Sequence, residues 1–198
     1  MIAALFVQRD GCYWDLEGVD PWDEARDARL YDGPYPVVAH PPCSRWCRLA
    51  GLVQARYGYK KGDDGGCFSS ALESVRRWGG VLEHPAYSDA WPAFGIPAPD
   101  PQGGWQRTIC GGWTCHVEQG HYGHKARKPT WLYAYGLEVP PLKWGRSKDS
   151  KAAISLGFAD SWKRRQGGEV KLMNKRQRSA TPLEFRTLLL EMAASCRR

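Results

Sequence analysis

The hydrophobic positions of this chain fall into short apolar runs closed by polar, glycine or proline residues, with two stretches that keep a helical period instead. Residues 2–7 form one run, stopped by Gln8-Arg9-Asp10-Gly11. Val37-Val38-Ala39 is a second, and it ends at His40-Pro41-Pro42 because neither proline can donate to a sheet ladder. Gly80-Val81-Leu82-Glu83-His84-Pro85 has the same form, an apolar strand running into a polar pair and then blocked. Between these two, Ala71, Leu72, Val75 and Trp78 keep helical spacing and predict a helix over 69–78 that Gly79-Gly80 ends. Alternation around Gly111-Gly112 predicts a β-hairpin over 105–119, and Thr130-Trp131-Leu132-Tyr133 a further strand. The last helix is predicted from Leu183 to about Ser195, with Thr181 as N-cap and Pro182 at the first helical position.

A strand, a helix and a strand in that order predict an α/β sheet in which Cys43 and Glu83 leave neighbouring parallel strands at one edge. Gly18-Val19-Asp20 is a candidate second strand end and Asp27-Ala28-Arg29 a candidate third, although each Asp also suits an ordinary turn. The segment before Cys43 is too short for three strands joined by full crossover helices, so this half of the sheet is expected to be reduced.

Composition adds a partner class. The 198 residues are expected to form one domain, with 28 Lys and Arg against 21 Asp and Glu, and the formal charge of +7 favours a polyanion. Ten Trp and nine Tyr offer stacking surfaces as well as core. No apolar run approaches a membrane span and residues 1–10 do not read as a signal peptide, so a cytosolic protein without a membrane partner is expected. Seven cysteines without an export signal argue for free, metal-bound or catalytic thiols.

Cys43 sits on a stiff proline loop with Arg45 and Arg48 close in sequence, a pattern that suits a nucleophile with a favoured thiolate. The same tripeptide also suits a turn closed over a core thiol. Cys110, Cys115, His116, His121 and His124 are clustered in sequence, but their spacings match no zinc half-site, and no metal is expected. Residues 48–66 mix Arg56, Lys60 and Lys61 with Tyr57 and Tyr59 between glycines, as a nucleic-acid-facing loop or a solvated one would. Four prolines make 87–102 an irregular connection, and 137–168 is polar and basic.

Pro41-Pro42-Cys43 resembles the nucleophile loop of the DNA cytosine-5 methyltransferases. Three more segments resemble that family in its order: the Glu83-His84 strand end, Tyr122-Gly123 followed by Lys125, Arg127, Lys128 and a strand, and Ala180-Thr181-Pro182 before the last helix. The chain is similar to compact phage and prophage proteins of this type, which implies the cytoplasm of a bacterial host. The fold implied is a Rossmann-like, methyltransferase-like, mostly parallel sheet with helices on both faces and a reduced N-terminal cofactor half.

In that family the cysteine attacks carbon 6 of a flipped cytosine while the glutamate binds the base, which assigns Cys43 and Glu83 as catalytic. The resemblance places Pro42, His84 and Arg127 against the base, and Arg45, Arg48, Lys125 and Lys128 on DNA. It implies S-adenosylmethionine as methyl donor, near Phe6, Gly11, Asp20, Asp27 and Thr181, and puts 137–168 in place of a target-recognition region. A non-catalytic DNA-binding protein that masks DNA or opposes restriction is the other reading, and modification with a different donor a third.

Overall fold

A computed structural model describes residues 1–47, 50–147, 152–153 and 171–196. Seven strands form one sheet: β1 (Ile2–Leu5), β2 (Val19–Trp22), β3 (Val37–Ala39), β4 (Gly80–Pro85), β5 (Gln106–Arg107), β6 (Trp113–Glu118) and β7 (Pro129–Tyr135). Their order is β2-β1-β3-β4-β7-β6-β5, while β8 (Ala152–Ala153) and β9 (Lys171–Leu172) pair apart from it. The first four strands are parallel, and β7, β6 and β5 continue the sheet through antiparallel pairs. The mostly parallel sheet expected from the sequence is therefore a mixed one, because the hairpin at Gly111-Gly112 and the return of β7 add short antiparallel connections.

The helices are α1 (Ala50–Tyr57), α2 (Cys67–Trp78), α3 (Ala90–Ala93), α4 (Lys175–Ser179) and α5 (Leu183–Ala194). Side chains of a strand alternate between faces, and here both faces are apolar. Leu5, Val37, Ala39 and Leu82 pack with Phe68, Leu72 and Val75 of α2. Ala4, Val38 and Val81 pack on the other face with Phe185, Leu189 and Met192 of α5. The expectation of helices on both faces holds.

Gly80 is needed where β4 begins beside β3. Its φ is +128°, and a Cβ there would lie 1.9 Å from the Val37 carbonyl oxygen.

Five local expectations are corrected. Asp20 is the second residue of β2 rather than a strand end, and Asp27 caps a 3-10 turn, Ala28–Leu30. Pro182 is the N-cap of α5, with Thr181 outside the helix. Segment 48–66 contains α1, and the proline-rich 87–102 contains α3, whose Trp91 is fully buried. Most of 137–168 lies outside the described residues.

Candidate active site

β3 and β4 pair in register up to Ala39 and Leu82, so the next residues, His40 and Glu83, emerge side by side on the face that α5 covers. His40 Nδ1 lies 2.9 Å from Glu83 Oε2, and the Tyr13 hydroxyl lies 2.8 Å from His40 Nε2. On the far side, Gln119 Nε2 donates to Glu83 Oε1 at 3.0 Å and to Thr130 Oγ1 at 3.0 Å. Both carboxylate oxygens are thus held. Burial raises the Glu83 carboxyl, but hydrogen bonding and charge from His40, with Lys128 behind them, outweigh it and hold the group at about 2.

Cys43 follows two prolines, and its carbonyl accepts from the backbone N–H groups of Trp46 and Cys47, both at 3.0 Å. Trp46 anchors this turn: its Nε1 donates to Asp64 Oδ2, which also accepts from Phe68 N at the start of α2. Burial raises the Cys43 thiol above its usual range, and the charges of Glu83 and Cys47 raise it further, while Lys128 opposes them. The thiolate is not favoured by Arg45, contrary to the sequence expectation. That guanidinium stacks 3.9 Å from the centre of the Tyr59 ring. Arg48 lies outside the described residues.

Lys128, expected on DNA, lies where its charge acts on Glu83, Cys43 and Cys12. It has a φ of +45° just before β7, and its Nζ donates to the Ala180 and Ser179 carbonyls at 2.9 and 3.4 Å. Burial lowers its ammonium while Glu83, Cys43 and Cys12 oppose that shift. Arg127, the residue expected against the base, points elsewhere: its guanidinium is 3.9 Å from Glu118 and 38% exposed. The cation beside Glu83 is therefore one residue later than expected. Lys125 is exposed.

His84 is a correction of the same kind. It follows Glu83 on the strand and so points to the opposite face, where it is fully buried, stacked on Trp91 at 6.0 Å and edge-on to Phe68 at 5.3 Å. Neither ring nitrogen makes a hydrogen bond; the Pro42 carbonyl is near without meeting bonding geometry. Burial lowers this imidazole to about 4. It is a neutral core residue and does not share a pocket with Glu83. Pro42 itself is exposed beside Cys43.

The two carboxylates assigned to a cofactor have partners nearby in the chain. Asp20 accepts from Trp22 Nε1 at 2.8 Å and pairs with Arg26 at 2.6 Å, and Asp27 is held by Arg29 Nε at 2.7 Å. Both carboxylates are engaged locally. The carboxylate that follows β2 is Asp23, buried and accepting from Arg26 N at 3.0 Å. Phe6 turns the chain after β1 with φ +58°, and Gly11 closes the next turn onto Gln8 O.

Sequence reading missed Tyr13, His40 and Gln119. His40 was legible in principle, as the residue in register with a strand-end glutamate; Tyr13 and Gln119 had no local signal. The metal candidates are dispersed: His116 Nδ1 accepts from Trp131 Nε1, His121 and His124 bond the Gly145 and Ala126 carbonyls, and Cys115 is core. Among the described residues, no three His, Cys, Asp or Glu side chains are placed to hold a metal ion. Nor is any described helix long and apolar enough to cross a membrane.

No family model, curated protein or solved structure matches this chain.

Proposed function

We propose that this protein activates cytosine in DNA by a covalent bond from Cys43 to carbon 6, in a Rossmann-like domain akin to the DNA cytosine-5 methyltransferases. The observation that carries the reading is that a half-buried thiol on the loop after β3 and a carboxylate on the adjoining parallel strand β4 interact through their charges with each other and with a lysine. Attack at carbon 6 drives negative charge into the ring, and a positioned acid at the ring nitrogen is worth roughly 10²–10⁴-fold. Glu83 and Lys128 are the groups that would meet that charge.

The strand order also suits it. The chain runs from β1 outward to β2 and then returns to the other side of β1, so the order reverses between β1 and β3. Crevices at the carboxyl ends of such strands are where α/β sheets bind ligands. Phe6, Tyr13, His40 and Cys43 follow those ends. Tyr57 and Tyr59, both exposed, together with Arg45 and Lys125, provide stacking and charge for a polyanion outside the pocket.

S-adenosylmethionine would supply an electrophilic methyl group to carbon 5. Asp20 and Asp27, each already paired with an arginine, do not fit a ribose contact. A second reading has its own support: with both Glu83 oxygens already bonded and the thiol held protonated, the pocket also suits a protein that binds DNA without modifying it.

The test is mass spectrometry of nucleosides from DNA incubated with the protein and S-adenosylmethionine, beside Cys43→Ala. Modified cytosine from the natural chain and none from the variant supports the enzyme. Unmodified DNA from both, with DNA affinity retained, supports the binder.

A further inference from the structure

Glu83, whose charge acts on Cys43, belongs to a chain of hydrogen bonds that extends beyond the groups named for covalent addition. It runs from Tyr13 through His40 to Glu83 and on to Gln119 and Thr130, joining the segment after β1, the end of β3, β4, the turn after β6 and β7. His40 and Glu83 are 14% and 11% exposed, so the pair is nearly closed to solvent. Gln119 is fully buried and fixed between two acceptors.

From these contacts, and resting on the covalent reading above, we propose that the Tyr13–His40–Glu83 chain is the proton carrier of the addition step, taking the thiol proton and returning it to the ring nitrogen of the base. Glu83 alone is poorly suited to that task, because its neighbours keep it ionised far below neutral pH. Coupled to an imidazole it can pass a proton it does not store. Tyr13 completes the device. A hydroxyl both donates and accepts, so it donates to neutral His40 at Nε2 and accepts from Nε2–H when the ring is charged.

Cys43 Sγ loses its proton to the His40–Glu83 pair, which becomes imidazolium and carboxylate. The sulfur lone pair forms the bond to carbon 6, the C5–C6 π pair moves to C4–C5, and the C4–N3 π pair moves onto N3. The proton held by the pair passes through the Glu83 carboxyl to N3. No proton enters or leaves the pocket, no external oxidant or reductant is needed, and carbon 5 becomes nucleophilic. Elimination reverses each movement.

This arrangement accounts for a thiol held in its protonated form at a nucleophilic position: the proton is retained until a base is present to receive it. The charged and titratable groups facing the carrier are Cys43, Lys128, Cys12, Tyr13 and Arg186, with His84 across the strand. Arg186 reaches in from α5, its guanidinium donating to the Cys12 carbonyl at 2.9 Å.

The experiment follows tritium release to water from duplex DNA of varied sequence carrying C5-tritiated cytosine, between pH 5 and 9, with and without S-adenosylmethionine. Exchange at carbon 5 requires addition at carbon 6, so the readout does not depend on the donor. The natural chain is compared with His40→Gln, which keeps a hydrogen bond to Glu83 but cannot titrate, and with Tyr13→Phe. His40→Gln is expected to release tritium about 100-fold more slowly and to lose the acid limb of the pH profile. Tyr13→Phe is expected to fall about tenfold and to move that limb.

Rates and limb unchanged in both variants overturn the carrier, as does a uniform loss with the limb in place, which would mark a structural role. If His40→Gln does not fold, judged by its thermal transition, Tyr13→Phe decides. Absence of release from the natural chain under all conditions overturns covalent activation itself, a distinct result.

Discussion

His40 and Glu83 lie 43 positions apart in the chain and meet at 2.9 Å, one residue beyond the Ala39–Leu82 pair that ends the β3–β4 ladder. The carboxyl of Glu83 ionises at about 2 in the folded chain against about 4.5 in an unfolded one, so it binds fewer protons when folded. Its contribution to stability is therefore complete above about pH 4.5 and disappears as pH falls towards 2. Glu83→Gln is expected to cost about 2 kcal/mol at pH 7 and almost nothing near pH 2. Urea unfolding of both proteins across that range checks the difference.

His84 has the same sign of pH dependence from a different cause, burial without a hydrogen-bond partner. Its folded imidazole protonates only near pH 4, whereas the unfolded one does so near 6.5, so acidification through that window destabilises the fold. His84→Leu removes two unpaired buried nitrogens and is expected to add about 1–2 kcal/mol at pH 7. Its stability should also vary less between pH 6.5 and 4, as chemical denaturation at several pH values would reveal.

Cys110 is the thiol that alkylating reagents should find first. Its residue is exposed on the β5–β6 turn; burial of the sulfur is the largest single effect and raises it, but the Thr108 and Tyr133 hydroxyls, the Gly112 backbone and the Arg76 guanidinium together outweigh burial and bring it to about 7. At pH 7, peptide mapping after brief iodoacetamide treatment is expected to show Cys110 modified well before Cys43.

With Cys110→Ser as background, the electrostatics of Cys43 become measurable. Lys128 is the cation that opposes burial and Glu83 at this thiol. Lys128→Met is expected to slow Cys43 alkylation at pH 8 roughly threefold or more, with the natural rate approached only at higher pH. An unchanged rate would mean that another group sets the thiol.

Gly80→Ala tests the ladder that brings the two strand ends together. A methyl group there meets the Val37 backbone and the required φ is unfavourable, so a loss of about 3 kcal/mol or more is expected in thermal or urea unfolding.

Strand ends, the hairpin and both principal helices were legible because each rests on a local signal: β-branched runs stopped by proline, period 3.6 in α2, glycine at Gly79 and Gly111-Gly112. What was not legible has another origin. His84, Arg127 and Lys128 each adjoin a well-read strand, yet which face or side their side chains take depends on what packs there.

Read alone, the sequence determined the sheet's pieces and the stiff loop carrying Cys43, since chain stiffness and alternation act between near neighbours. Only the tertiary structure decided that Tyr13, His40, Gln119 and Lys128 close on Glu83 while His84 is turned into the core. The hydrogen bonds between Tyr13 and His40 and between His40 and Glu83 join residues 27 and 43 positions apart. They exist because burying both apolar faces of the sheet fixes every side chain's direction at once.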